Sequence, residues 1–181
     1  MKSGRNFDMF IIDFDDTLFD TESLKQTWLG GKRLDEQTLI AVVKRTMTLD
    51  DLKALLFPDT ISFLTELKGY GEPMVLVSHG SVTFQNMKID PCGIRPYFDE
   101  SIIVPESKVA VVEKKAVASN TGVWFINDKI QETKEIVAAV PTIWPALKVS
   151  RRFSLSDYEQ SKLPYFQTLT EVANYVREQK Q

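Results

Sequence analysis

The chain has 181 residues, a formal net charge of −3, 43% hydrophobic and 26% charged residues, the profile of one soluble globular domain with a single core. The mildly acidic balance and the lack of a basic run argue against general binding to nucleic acid or to an anionic membrane. Cys92 is the only cysteine, which excludes an internal disulfide and argues against a cysteine-built zinc site.

In chain order, the first apolar run, Met9-Phe10-Ile11-Ile12, is too short for a signal peptide and stops at Asp13. No stretch approaches the roughly 20 apolar residues that span a bilayer, so the expected location is the cytoplasm. Residues 21–57 hold two predicted helices, over 35–47 and 50–56, with no strand between them. A helix is expected over 60–67, where Ile61, Leu64 and Leu67 share a face behind Pro58-Asp59. Further apolar runs follow: Met74–Val77, ending at Ser78-His79-Gly80; Ile102–Val104, ending at Pro105; Val123–Ile126, ending at Asn127-Asp128; and Thr142–Trp144, closed by Pro145. Helices are predicted over 109–117, 132–140 and 169–176. Near-continuous apolar runs suit strands buried on both faces. Alternation of such strands with helices predicts an α/β fold with a parallel sheet.

Ligands of open parallel sheets bind at the carboxyl ends of the strands. Asp13-Phe14-Asp15, Ser78 and Asn127-Asp128 are expected at that edge. Crowded carboxylates repel one another unless a cation neutralises them, and an all-oxygen donor set suits Mg2+. Asp16 and Asp20 read as exposed loop charges, because acidic residues are mostly exposed.

Phe10 to Leu18, an apolar strand followed by Asp13-x-Asp15-x-Thr17, resembles the first motif of the haloacid dehalogenase-like superfamily. Ser78 resembles the second motif, Lys108 the third, and Asn127-Asp128-x-x-x-Glu132 the fourth, which is usually Gly-Asp-x-x-x-Asp. The resemblance implies a Rossmannoid core over 1–20 and 58–181, with residues 21–57 as a small helical cap. It implies Asp13 as nucleophile, Asp15 as general acid and base, and Thr17 as a brace for the turn. Ser78 and Lys108 would hold phosphoryl oxygens. Mg2+ would bind Asp13, the Asp15 carbonyl and Asp128, with Glu132 either near the metal or paired with Lys108. Asn127 stands where the family has glycine, and the expectation is that asparagine supports the turn by tolerating left-handed backbone.

The resemblance thus implies a magnesium-dependent phosphomonoester hydrolase. A phosphotransferase or phosphomutase uses the same residues, and a non-catalytic regulatory module is the alternative from another class. The substrate is expected to be a small phosphorylated metabolite or nucleotide, with a phosphorylated macromolecule as the other option. The oligomeric state stays open. His79 is either a substrate contact or a loop histidine without a role. Trp28, Lys32 and Arg33, beside Gly30-Gly31, either face the site or belong to an amphipathic surface segment.

Overall fold

Asp13 stands at the end of the central strand of a parallel sheet, as a computed structural model of residues 7–28, 30–31, 34–119 and 121–180 shows. Among these residues the strands are β1 (Phe7–Ile12), β2 (Met74–His79), β3 (Glu100–Val104), β4 (Gly122–Asn127), β5 (Ile143–Lys148) and β6 (Tyr165–Phe166). They are ordered β3-β2-β1-β4-β5-β6, and every pairing is parallel. The chain runs outward through β2 and β3, then crosses back to β4, so the order reverses between β1 and β4. Ligand crevices open at such a reversal.

Side chains alternate between the two faces of a strand, and the core follows that rule. Phe10, Ile12, Leu76, Trp124 and Ile126 lie in one buried cluster. It also takes Phe63 and Leu67 of α4 (Thr60–Lys68), Ile89 of α5 (Val82–Ile89) and Val172 and Val176 of α9 (Leu169–Lys180). On the other face, Ile11, Val75, Val77, Val123 and Phe125 pack on Val112 of α6 (Val109–Val117) and Ile136 of α7 (Ile130–Ala139). Full burial of one such aliphatic or aromatic side chain stabilises the fold by about 1.5–3 kcal/mol.

Between β1 and α4 lie α1 (Thr21–Ser23), a π-helical turn (Leu24–Trp28), α2 (Glu36–Thr46) and α3 (Leu49–Lys53). Val43 and Leu52 are buried in the same cluster as Phe10 and Ile12. This segment therefore shares the core of the sheet. Lys32 and Arg33, and the Trp28 side chain, lie outside the described residues.

Four elements depart from the sequence expectation. The fifth strand does not close at Pro145 but runs through it to Lys148. The Leu147 amide donates to Pro164, on the β6 side; by strand parity the missing N–H of Pro145 faces that side too. β6 pairs only with Leu147 and Lys148, so no hydrogen bond is lost at the proline. Helix α5 and helix α8 (Leu155–Ser161), together with the two-residue β6, are the elements that sequence periodicity missed.

Candidate active site

The end of β1 is tied to the end of β4 by the Asp13 amide, which donates to the Ile126 carbonyl at 2.9 Å. Asp13 is 1% exposed. One carboxylate oxygen accepts from Lys108 Nζ at 2.6 Å and the other from Thr17 Oγ1 at 3.2 Å. Thr17 is buried within the loop that returns to Phe19, whose ring stacks on Phe14 at 5.0 Å. The loop turns at Asp16, which has φ 58°, a conformation open to aspartate because its short side chain bonds locally. Here it accepts from the Glu22 amide at 3.1 Å.

Lys108, the residue that opens α6, is fully buried. Besides Asp13 it donates to Glu132 at 3.0 Å and to Asn127 at 3.4 Å. Burial alone would lower its pKa; the charges of Asp13 and Glu132 outweigh burial and raise it. Burial would raise the Glu132 pKa, and Lys108 outweighs that and lowers it. Glu132 is thus committed to Lys108 and to Asn127 Nδ2, the latter at 3.0 Å. Asn127 ends β4 and is not among the positive-φ residues, which corrects the expectation of a left-handed turn there. Its amide instead joins Lys108, Glu132 and Thr133, with Thr133 Oγ1 at 3.1 Å.

Asp128 is fully buried, and neither carboxylate oxygen has a hydrogen-bond partner. Burial, and next the charge of Asp13, push its pKa up to about 7. An orphaned buried carboxylate beside a second one is costly in the bare protein, and a divalent cation removes that cost. The donor chemistry fits Mg2+, which takes a few carboxylates and keeps waters. Among the described residues no three acidic, histidine or cysteine side chains are clustered for a metal. The remaining ligands would have to be backbone carbonyl, water or substrate oxygen. Ser78, the penultimate residue of β2, is likewise buried with its hydroxyl unpartnered.

Asp15 lies apart from this group. It accepts from Thr21 Oγ1 at 2.5 Å, from Gln85 Nε2 at 2.9 Å and from Lys88 Nζ. Burial would raise its pKa; the Lys88 charge and the three donors outweigh burial and hold it at about 2. Gln85 and Lys88 belong to α5, and nothing in the neighbouring sequence marks them as site residues.

Asp16 departs from the expected exposed charge. It is 2% exposed and pairs with Arg152 at 2.5 Å, and Arg152 also reaches Glu22 at 3.5 Å. Asp20 is half-buried; it caps α1 and pairs with Arg151. Tyr158, another residue that sequence reading missed, donates to the Asp128 carbonyl at 3.0 Å and accepts from the Ser150 amide at 3.0 Å. His79 is exposed and lines a cleft of about 510 Å³ with Ser107, Lys129, Glu132 and Phe153. Glu132 connects that cleft to Lys108 and so to Asp13.

No protein-family model matches the sequence, and no curated protein matches it. Solved structures do match. A candidate haloacid dehalogenase-like hydrolase from Burkholderia xenovorans LB400 superposes with a TM-score of 0.71 at 16% identity, over 96% of this chain and 99% of that one. A predicted phosphatase from Clostridium acetobutylicum gives 0.66 at 15% identity, over 95% and 99%. A HAD-superfamily hydrolase from Ehrlichia chaffeensis gives 0.61 at 17% identity, over 96% and 99%. Likeness at such low identity speaks for architecture, and the architecture of this chain is the haloacid dehalogenase-like fold.

Proposed function

We propose that the chain is a magnesium-dependent phosphomonoester hydrolase that works through an aspartyl phosphate on Asp13. The observation that supports this reading most is the setting of Asp13. It is a buried carboxylate gripped by Lys108 at 2.6 Å and Thr17 at 3.2 Å. Asp128 and Ser78 lie at the ends of β4 and β2, the strands that flank β1, with their side-chain oxygens buried and without a hydrogen-bond partner. Preorganised polar groups of this kind favour charge developing at a phosphoryl centre.

In the first step an Asp13 oxygen bonds to phosphorus as the bond to the leaving oxygen breaks; Asp15, ionised while Lys88 and its other donors hold it, takes up a proton on leaving them and gives that proton to the departing oxygen. In the second, water attacks phosphorus, Asp15 takes its proton, and the bond from Asp13 to phosphorus breaks to release phosphate. Lys108 and Ser78 donate to the phosphoryl oxygens, and Thr17 keeps the Asp13 carboxylate oriented. Asp13, Asp128 and the Asp15 carbonyl would hold Mg2+, which supplies charge neutralisation at the phosphoryl group. Glu132, being committed to Lys108 and Asn127, orients the lysine.

The cleft beside His79 and Phe153 suits the organic part of a small phosphorylated metabolite or a nucleotide. Among the described residues no helix is long and apolar enough to cross a membrane, and the one cysteine is free and buried. Both features accord with a cytoplasmic enzyme. The test is hydrolysis of para-nitrophenyl phosphate by wild type and Asp13→Asn, each with Mg2+ and with EDTA. The expected result is release that needs both Mg2+ and Asp13. Full activity in the variant would assign the nucleophile elsewhere.

A further inference from the structure

Lys88 is 1% exposed, and among the described residues Asp15 is the one carboxylate it pairs with. Three aromatic rings stand close to it: the Phe84, Phe14 and Phe19 ring centres lie 4.8, 5.4 and 5.7 Å from its ammonium. Phe14 and Phe19 flank the Asp15 loop, so the same loop that carries Asp15 walls in its counter-ion. Gln85, 3% exposed, adds a second donor from the same helix, and it also donates to the His79 carbonyl at 2.8 Å. Thr21 supplies the third from the start of α1. With both oxygens taken by three donors, the Asp15 carboxylate cannot approach a leaving group on Asp13's side without giving up at least one of them. Breaking the contact with Lys88 would strand an ammonium in an aromatic box, which is the costly way to break a buried pair.

We infer that Lys88 is a positioning residue that latches Asp15 against α5 and restrains its movement to the reacting phosphoryl group. The inference rests on the phosphatase reading for its effect on turnover, but the latch itself does not. Releasing it frees Asp15 for proton donation, and that matters most for esters whose alcohol leaves only when protonated. Lys88 thus biases the enzyme toward leaving groups that depart without a proton.

Two measurements on the full chain test this. In urea unfolding of wild type, Asp15→Asn, Lys88→Met and the double variant, the double variant is expected to lose less than the sum of the single losses. Strict additivity would overturn the latch whatever the activity. In turnover, the ratio of kcat for benzyl phosphate to that for para-nitrophenyl phosphate is expected to rise by about tenfold or more in Lys88→Met. Lys88→Arg should keep the wild-type ratio, and the rise should vanish in the Asp15→Asn background. An unchanged or lower ratio in Lys88→Met, or the same rise without Asp15, would refute the restraint. Coupled unfolding in a chain that hydrolyses neither ester would refute the phosphatase reading and leave the latch standing.

Discussion

Asp128 puts both of its oxygens into the interior without a donor, and this sets a pH dependence. An unfolded aspartate ionises near 3.9, whereas burial and the neighbouring charge of Asp13 hold the folded group at about 7. Between those values the unfolded state has lost the proton that the folded state keeps. Stability in metal-free buffer therefore falls as pH rises from about 4 to about 7 and levels off above, a loss on the order of 4 kcal/mol. Asp128→Asn removes the slope. Urea midpoints from pH 5 to 8 check this, and an unaltered slope in the variant would contradict it. The placement of Asp13, Ser78, Lys108 and Asp128 was legible in the sequence because each stands where an apolar run stops or a helix starts, whereas Thr17 was named from the Asp13-x-Asp15-x-Thr17 resemblance alone. Asp16 was misread as exposed, since nothing local announces an arginine 136 positions away in the chain (Arg152 against Asp16) that compensates its burial. Asn127 was misread because its side chain bonds Lys108 and Glu132, a task invisible in a motif pattern that differs only by glycine.

At the scale of elements, α5 carries the most unforeseen weight. Its buried residues include Gln85 and Lys88 alongside Ile89, so its inward face mixes charge with hydrocarbon and gives no clean helical stripe. Its one plain signal is Ser81, whose hydroxyl accepts from the Phe84 amide at 3.2 Å as an N-cap. The turn that delivers the chain from β2 into α5 depends on Gly80, which has φ 140° and leaves room for Gln85: a Cβ there would lie 2.7 Å from Gln85 Nε2. Gly80→Ala is therefore expected to cost about 1–3 kcal/mol and to dislodge Gln85 from Asp15. The unfolding midpoint should fall, and the ratio of kcat for benzyl phosphate to that for para-nitrophenyl phosphate should rise as Asp15 loses one of its donors. A variant with the wild-type midpoint and the wild-type ratio would show that the turn does not set the position of Gln85. The segment over 21–57 was legible as helical, but its attachment to the main core through Val43 and Leu52 was not. Helix α2 has few buried positions from which a packing partner could be read.

For the molecule as a whole, the sheet was readable because the stretches Phe10–Ile12 of β1, Met74–Val77 of β2 and Val123–Ile126 of β4 are buried and appear as apolar runs. The two-residue β6 and the short α8 are too brief for either periodicity to register. The topology converts that legible sheet into a site. Reversal of strand order between β1 and β4 places Asp13 beside Asp128, and β2 on the other side brings in Ser78. Lys108, 95 positions from Asp13 in the chain, reaches it from the start of α6. What this assembly is proposed to do is carry a phosphoryl group on one carboxylate. The most direct test is to quench wild type and Asp15→Asn during turnover of para-nitrophenyl phosphate with borohydride, which reduces an acyl phosphate to the alcohol, and to map the reduced residue by peptide mass spectrometry. The account predicts reduction at Asp13, with more of it in Asp15→Asn, where water is no longer activated. Turnover that leaves Asp13 unreduced, or reduction at another carboxylate, would contradict it.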